Sequence, residues 1–236
     1  MAESQDIKRL RREYEDRKIK YAESNKYSKL DPAHQFIIQN RNRLLLSLLR
    51  KYNMRSLQEQ KLVEIGCGSG GVLTEYYSLG ASPKNLFGVD LLFDRLIAAK
   101  VNMPAAHIHN ANAELLPFPE SSFDIVIQYT AFSSILDQSI KHNSAKEMLR
   151  VLTPGGFIIW YDFWFNPTNR QTQGIKPGEI KELFRNCTYD FHRTTLAPPI
   201  ARWLIPRSFR IAVLLEKIKV FNSHYLVVIQ PKDGIN

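Results

Sequence analysis

The first chemistry in this chain lies in Leu62-Val63-Glu64-Ile65-Gly66-Cys67-Gly68-Ser69-Gly70-Gly71, where a short apolar stretch runs into glycines at alternate positions. Glycine lets the backbone bend sharply and lets a ligand approach where a Cβ would collide. Glu64 stands two residues before the first glycine, at the predicted strand end. A nucleotide cofactor at such a turn meets backbone N–H groups and a carboxylate together. That combination suits a ligand with an ammonium group better than a pyrophosphate. The same stretch also satisfies G-x-G-x-x-G at Gly66, Gly68 and Gly71, which alone is a weak dinucleotide signal. Phe87-Gly88-Val89-Asp90-Leu91 reads as a second strand ending in an acid, 24 residues beyond Gly66. A carboxylate so spaced accepts hydrogen bonds from both ribose hydroxyls, of NAD or of another adenosine cofactor.

Two later segments separate those cofactors. Asn112-Ala113-Glu114-Leu115-Leu116-Pro117-Phe118-Pro119 leads through Ser121 and Ser122 into an apolar strand at Phe123–Val126, and Leu149–Thr153 ends a helix at a Pro154-Gly155-Gly156 turn. With the first two, these segments resemble the class I S-adenosylmethionine (SAM)-dependent methyltransferases, in the small-molecule branch that includes ubiquinone/menaquinone methyltransferases. The resemblance spans about residues 60 to 162. It implies SAM as cofactor, held by Glu64, Gly66, Cys67, Gly68, Gly70, Asp90, Leu91, Asn112, Ala113, Glu114 and Gln128. It also implies a Rossmann-like α/β fold: a seven-stranded, mostly parallel sheet with an antiparallel last strand and helices on both faces. Asn112 departs from the family, which often has an acid there; an amide keeps hydrogen-bonding capacity without charge assistance.

A chain of 236 residues is expected to form one domain with a core that needs no staples. Two cysteines are too few for a disulfide framework or a structural zinc site, so a reducing cytoplasm is expected. Cys67, at a helix N-terminus, reads either as an acidified thiol or as a small residue tolerated beside the cofactor. Residues 1–30 are charged and carry no secretory pattern, and no apolar run reaches membrane-spanning length. The net charge of +9 is uneven: residues 1–60 carry 14 basic and 8 acidic side chains, 61–166 carry 7 and 10, and 167–236 carry 11 and 5. Basic flanks around an acidic middle suggest a positive rim, which favours an anionic acceptor or an anionic membrane surface.

The spacing predicts a charged helix at 6–20 and a stronger one at 32–52, with Pro32 in its first turn and Phe36, Ile37, Leu44, Leu45, Leu48 and Leu49 on one face. The latter resembles the N-terminal extension that covers the cofactor in small-molecule methyltransferases, and Tyr21 and Tyr27 are further candidates to reach it. Strands are expected at 61–65, 86–90, 106–109, 124–128, 156–161, 189–194 and 225–230, alternating with helices. The domain divides as a helical cap at 1–58, a SAM-binding core at 59–194, an insertion at 195–223, and a final strand and tail at 224–236. The insertion mixes aliphatics, Trp203 and the basic residues Arg202 and Arg210. It reads as a packed helical pair, or as a substrate lid with an edge dipping into a membrane interface.

Methyl transfer is an in-line displacement, so the protein chiefly aligns two reactants and excludes water. Gln128-Tyr129-Thr130-Ala131 is not the Asn/Asp-Pro-Pro-aromatic turn of enzymes that methylate base amines. Neither cysteine follows a proline, as a cytosine C5 nucleophile would. No nucleic-acid module is visible, and a small-molecule or lipid-linked acceptor is expected, methylated on a hydroxyl of a glycan or other polar compound. For a hydroxyl, His224 and Asp162 are the candidate base and its orienter, provided the fifth and last strands pair antiparallel. A structural Asp–His hydrogen bond is the plainer alternative. Asp162, Asn166 and Asn169 could instead hold a divalent cation, though their spacing is not diagnostic and no metal is assigned. Of the other histidines, His107 and His109 read as structural and His142 as surface, while His34 and His192 have no evident partner. A SAM-binding regulator without turnover and an NAD-dependent oxidoreductase are the competing readings.

Overall fold

The computed structural model describes residues 5–20, 28, 30–166, 169 and 171–232. Seven strands form one sheet in the order β3-β2-β1-β4-β5-β7-β6. In chain order they are β1 (Leu62–Ile65), β2 (Leu86–Asp90), β3 (His107–Asn110), β4 (Phe123–Tyr129), β5 (Leu152–Phe163), β6 (Cys187–Leu196) and β7 (Asn222–Pro231). The pairs β1–β2, β2–β3, β1–β4 and β4–β5 are parallel. Strand β7 runs antiparallel between β5 and β6, as the resemblance implies.

The central strands are buried on both faces, which is why they read as continuous apolar runs rather than alternating ones. One face carries α2 (Pro32–Lys51), α3 (Gly71–Ser78) and α4 (Phe93–Asn102), which pack Leu45, Leu48, Leu73, Tyr76 and Leu96 on Ile125, Ile127 and Ile159. The other carries α5 (Gln138–Arg150) and α6 (Pro177–Leu183), with Ala145, Met148, Ile180 and Leu183 against Val63, Val126 and Trp160. Helices α3 and α4, which connect β1 to β2 to β3, and α5 and α6, which connect β4 to β5 to β6, fall on opposite faces because the crossovers are right-handed and the strand order reverses at β1 and β4. Ligands of open α/β sheets bind outside the carboxyl ends of the strands at such a reversal.

Helix α2 starts where predicted because Asp31 caps it, its carboxylate accepting from the His34 N–H at 2.6 Å, with Pro32 in the first turn. Its phenylalanine and leucines reach the sheet and the insertion, while Arg41 is buried among them. Between β6 and β7 the insertion forms α7 (Pro198–Leu204) and α8 (Phe209–Lys217). Ala201, Leu204, Ile205 and Ala212 pack this hairpin on Ala33 and Phe36 of α2, so at least its inner side is a packed helical pair. Since Leu196 pairs with Asn222, both ends of the hairpin leave the sheet at the carboxyl edge. No helix among the described residues is long and apolar enough to cross a membrane.

Candidate cofactor and acceptor site

A partly enclosed cavity of about 140 Å³ lies at the carboxyl ends of β1, β2 and β4. Gly66, Asp90, Leu91, Asn112 and Ala113 line it, as the sequence leads one to expect. The turn after β1 is built by glycines in the left-handed region: φ is +77° at Gly66 and +51° at Gly68. A Cβ on Gly66 would stand 2.7 Å from the Ala131 Cβ, and one on Gly68 would collide with the Arg95 guanidinium. At Gly66 the blocking atom is the short, fixed side chain of Ala131, while at Gly68 the Arg95 end can swing away and the left-handed backbone is what favours glycine.

Four amides of this turn are already committed within the protein. Gly66 and Cys67 donate to the Val89 carbonyl at 2.8 and 3.0 Å, Gly70 donates to Cys67, and Gly68 donates to Asp90 Oδ2 at 2.8 Å. Asp90 Oδ1 accepts the Leu92 N–H at 2.8 Å. Each carboxylate oxygen of Asp90 therefore holds one internal hydrogen bond and retains a lone pair for a ligand hydroxyl. Glu64, 2% exposed, is the converse case: its Oε2 is buried without a hydrogen-bond partner among the described residues. Burial, with Glu75 and Asp90 adding like charge, pushes its pKa well above the usual carboxylate range. A buried acid in that condition fits a ligand that brings a cation and hydrogen-bond donors.

Six expected cofactor residues do not line the cavity: Glu64, Gly68 and Gly70 stand behind it in β1 and its turn, and the side chains of the other three are engaged elsewhere. The Cys67 side chain is buried beneath the turn against Gly88, and burial raises its thiol pKa, so an acidified nucleophile is excluded. Gln128 is fully buried; its Oε1 accepts the Ala131 N–H at 3.0 Å and its Nε2 donates to Asp162 at 3.2 Å, so it shapes the turn after β4 instead of lining the cavity. Glu114 is held by Asn112 and by Asn143 of α5, which leaves the backbone at Asn112 and Ala113 to face the cavity.

The roof is α1 (Gln5–Lys20), not α2 as the resemblance suggests. Ile7, Leu10 and Tyr14 line the cavity from it, and the Tyr14 ring lies 4.7 Å from the Arg95 guanidinium. Asp6 Oδ2 accepts the N–H groups of Leu136 and Asp137 at 3.0 and 3.2 Å, and Arg9 donates to the Ser134 carbonyl. Ile7, Leu10 and Tyr14 sit three and four apart on one helix face, a signal visible in the sequence but masked there by the charges around it. Tyr21 and Tyr27 lie outside the described residues.

The candidate base does not assemble. Strands β5 and β7 do pair antiparallel, but Phe163 is opposite His224 and Asp162 opposite Tyr225. Neighbouring residues on a strand face opposite sides, so imidazole and carboxylate point apart. His224 is 3% exposed, stacked on Tyr161 at 4.6 Å and packed on Phe163 at 3.9 Å, with Ser223 Oγ 3.0 Å from its Nδ1. Burial and the nearby Arg41 push it down to about 3, so it is neutral at any working pH. Asp162 accepts the Ser133 and Phe163 N–H groups at 3.0 and 2.8 Å and is pushed up to about 6 by burial. Both are architecture, and the proposed Asp–His hydrogen bond is absent among the described contacts.

The cation-site alternative fares no better. Asn166 donates to Thr172 and Asn169 accepts the Gln171 N–H, while among the described residues no three His, Cys, Asp or Glu side chains converge. His107 and His109 pack on Phe87 and Phe118, and His142 is exposed beside the Gln138 carbonyl, all as expected. His192 gains a partner in Asp190 at 2.9 Å. Thr130, at the cavity wall, adopts φ +56°, which no residue pattern around it signals. A β-branched residue there is strained, and it bonds the Tyr161 carbonyl at 2.8 Å.

Comparison with known proteins fits this geometry. Residues 63–160 match the methyltransferase domain family, a span that opens in β1 and closes in β5. This segment is a class I SAM-dependent methyltransferase domain. A phthiotriol/phenolphthiotriol dimycocerosates methyltransferase of Mycobacterium ulcerans is 31% identical over 121 residues, covering 48% of this chain and 40% of that protein. A ubiquinone/menaquinone biosynthesis C-methyltransferase of Rickettsia massiliae is 31% identical over 124 residues, covering 52% of this chain and 43% of that protein. The chain spans about half the length, or less, of the curated relatives it matches. Among solved structures, geranyl diphosphate C-methyltransferase from Streptomyces coelicolor, in complex with Mg2+, geranyl diphosphate and S-adenosyl-L-homocysteine, superposes with a TM-score of 0.58 at 15% identity, covering 79% of this chain and 76% of that one. At that identity the likeness is one of fold. The cofactor of the domain is SAM.

Proposed function

We propose that the protein transfers a methyl group from SAM to an oxygen of a small or lipid-linked, anionic acceptor, one that carries an acidic hydroxyl or a carboxylate. The observation that supports this best is the roofed cavity joining Gly66, Asp90 and the Asn112–Ala113 loop to the end of β4. Bound SAM supplies an electrophilic methyl on a sulfonium whose departure leaves a neutral thioether. Asp90 would take the ribose hydroxyls, Asn112 and Ala113 the adenine edge, and Glu64 the ammonium of the methionine part. The roof from α1 keeps water from the reacting centre.

With His224 and Asp162 withdrawn as a base, an acceptor oxygen that ionises without help is favoured over a sugar hydroxyl. An ionised phenol is nucleophilic at ring carbon too, and the named relatives include C-methyltransferases, so carbon is the second reading. The +6 net charge of residues 167–236 supports an anionic acceptor. Calorimetry with SAM, S-adenosylhomocysteine and NAD tests the cofactor. Transfer of radiolabelled methyl to a panel of phenols, carboxylates and glycolipids, with NMR of the product, tests the acceptor and the atom methylated. SAM binding without transfer to any acceptor would favour a SAM-binding regulator; binding of NAD alone would overturn the proposal.

A further inference from the structure

The α7–α8 hairpin presents to solvent a surface unlike the rest of the molecule. Trp203 is 61% exposed, Leu214 59% and Val220 68%, and Ile211 and Ile218 are open beside them. Ile211, Leu214 and Ile218 fall at i, i+3 and i+7, so they form one stripe along α8 and just beyond it. Ala212, on the opposite side, is fully buried against α2. The helix therefore has two apolar faces, one inside the protein and one that no described residue covers. Contiguous exposed apolar surface on this scale marks an interaction site.

The charges on the hairpin choose the partner. Residues 197–221 carry five basic side chains, Arg202, Arg207, Arg210, Lys217 and Lys219, and one acid, Glu216. Glu216 is turned inward, where it accepts the N–H groups of Thr195 and Leu196 at the end of β6. Arg207, Arg210, Lys217 and Lys219 are exposed, and Arg207 lies 4.9 Å from the Trp203 ring. On the α8 wheel Arg210 and Lys217 border the apolar stripe. A second copy of the chain fits this surface poorly, because a two-fold contact would set one basic rim against another. A soluble acidic protein would meet the rim but offers no reason for an indole and four aliphatics within it.

We propose that this outer face docks on an anionic lipid bilayer, with Trp203, Leu214, Ile218 and Val220 in the acyl boundary and the basic rim at the headgroups. Apolar side chains that penetrate the interface and cations that stay at phosphate level are the pattern of an interfacial amphipathic helix. The two parts reinforce each other: the bases draw the protein to the charged surface and the apolar stripe holds it there. The hairpin opens at the carboxyl edge of the sheet, so docking would bring the acceptor side of the domain to the bilayer.

The test is co-sedimentation of the full chain, without cofactor, with vesicles of phosphatidylcholine alone or containing phosphatidylglycerol. Binding to the anionic vesicles, weakening with salt, and at least about tenfold weaker binding to neutral ones is expected. Leu214→Glu, Val220→Glu and the double change Arg210→Glu, Lys217→Glu should each lose most of that binding. Their SAM affinity and melting temperature should stay as in the parent, because these side chains are exposed and far from the glycine turn. Equal binding by parent and variants, or no binding to either vesicle, would overturn the proposal. So would a dimer in sedimentation analysis that Leu214→Glu dissolves, since the face would then belong to a second copy. Because no cofactor is present, failure here leaves the methyltransferase reading intact, and failure of SAM to bind leaves this one intact.

Discussion

Glu64→Gln should make the protein more stable and a worse binder of SAM. The wild-type carboxyl is nearly fully buried, one oxygen lacks a partner, and its pKa is well above the ordinary range. An acid whose pKa is raised by folding contributes fully below its unfolded pKa, and that contribution is lost as pH climbs through the raised value. The ligand-free protein should therefore lose stability from mildly acid pH upward, and the glutamine variant should not. Glutamine keeps a buried polar end but has no charge to desolvate, and each pKa unit by which folding raises the acid is worth about 1.4 kcal/mol above that pKa, so a gain on that scale is expected once the wild-type carboxyl ionises. Against the ligand the sign reverses. Loss of a charged hydrogen bond to the ammonium costs about 1.5–3 kcal/mol, roughly tenfold to a hundredfold in Kd. SAM affinity of the parent should rise with pH as Glu64 ionises, while that of the variant should lack this component. Calorimetry across pH with thermal melts on the same samples reads both effects. A variant that binds SAM like the parent and melts lower would refute the assignment of Glu64.

Asp90→Ala should weaken SAM binding by about 1–3 kcal/mol and also loosen the glycine turn, since it frees the Gly68 and Leu92 N–H groups; hydrogen exchange at those amides separates the two effects. His224→Gln should leave the pH dependence of kcat unchanged, because an imidazole pushed down to about 3 does not titrate in the working range. A lost limb near neutral pH in that variant would restore it as a base. Cys67 and Cys187 are both buried with raised thiol pKa values, so Ellman's reagent should label neither until the protein is denatured.

What the residues disclosed beforehand was local. Gly66, Gly68 and Asp90 announced a strand-turn-strand pair because their backbone demands are steep and read within a few positions. The antiparallel last strand followed from the resemblance, and the long β5 and β7 extended past the apolar runs that predicted them, because pairing continues where side chains stop alternating. Register was the point of failure. Antiparallel pairing of β5 and β7 was anticipated, yet a one-residue offset sets Phe163, not Asp162, beside His224, and a single residue reverses the face. Arg95 over Gly68 and α1 over both are long-range contacts between charged segments, for which no pattern in the chain gives a distance.

The same roof bears on the timing of turnover. A chamber of about 140 Å³ is smaller than the roughly 300–1,000 Å³ that ligand pockets occupy, and Arg95 takes part of the space above the turn. Lifting α1, with the contacts of Asp6 and Arg9 to the segment from Ser134 to Asp137 parting, is the movement that would widen the chamber for exchange of a spent cofactor for a fresh one. That segment rests in turn on Ser133, whose N–H is tied to Asp162 at the end of β5. Opening is thus a concerted event of helix and corner together. Such a step runs in microseconds to milliseconds and commonly outlasts the bond change it protects. The first turnover would then outpace all that follow, and the length of the pause between them would be written in one short helix.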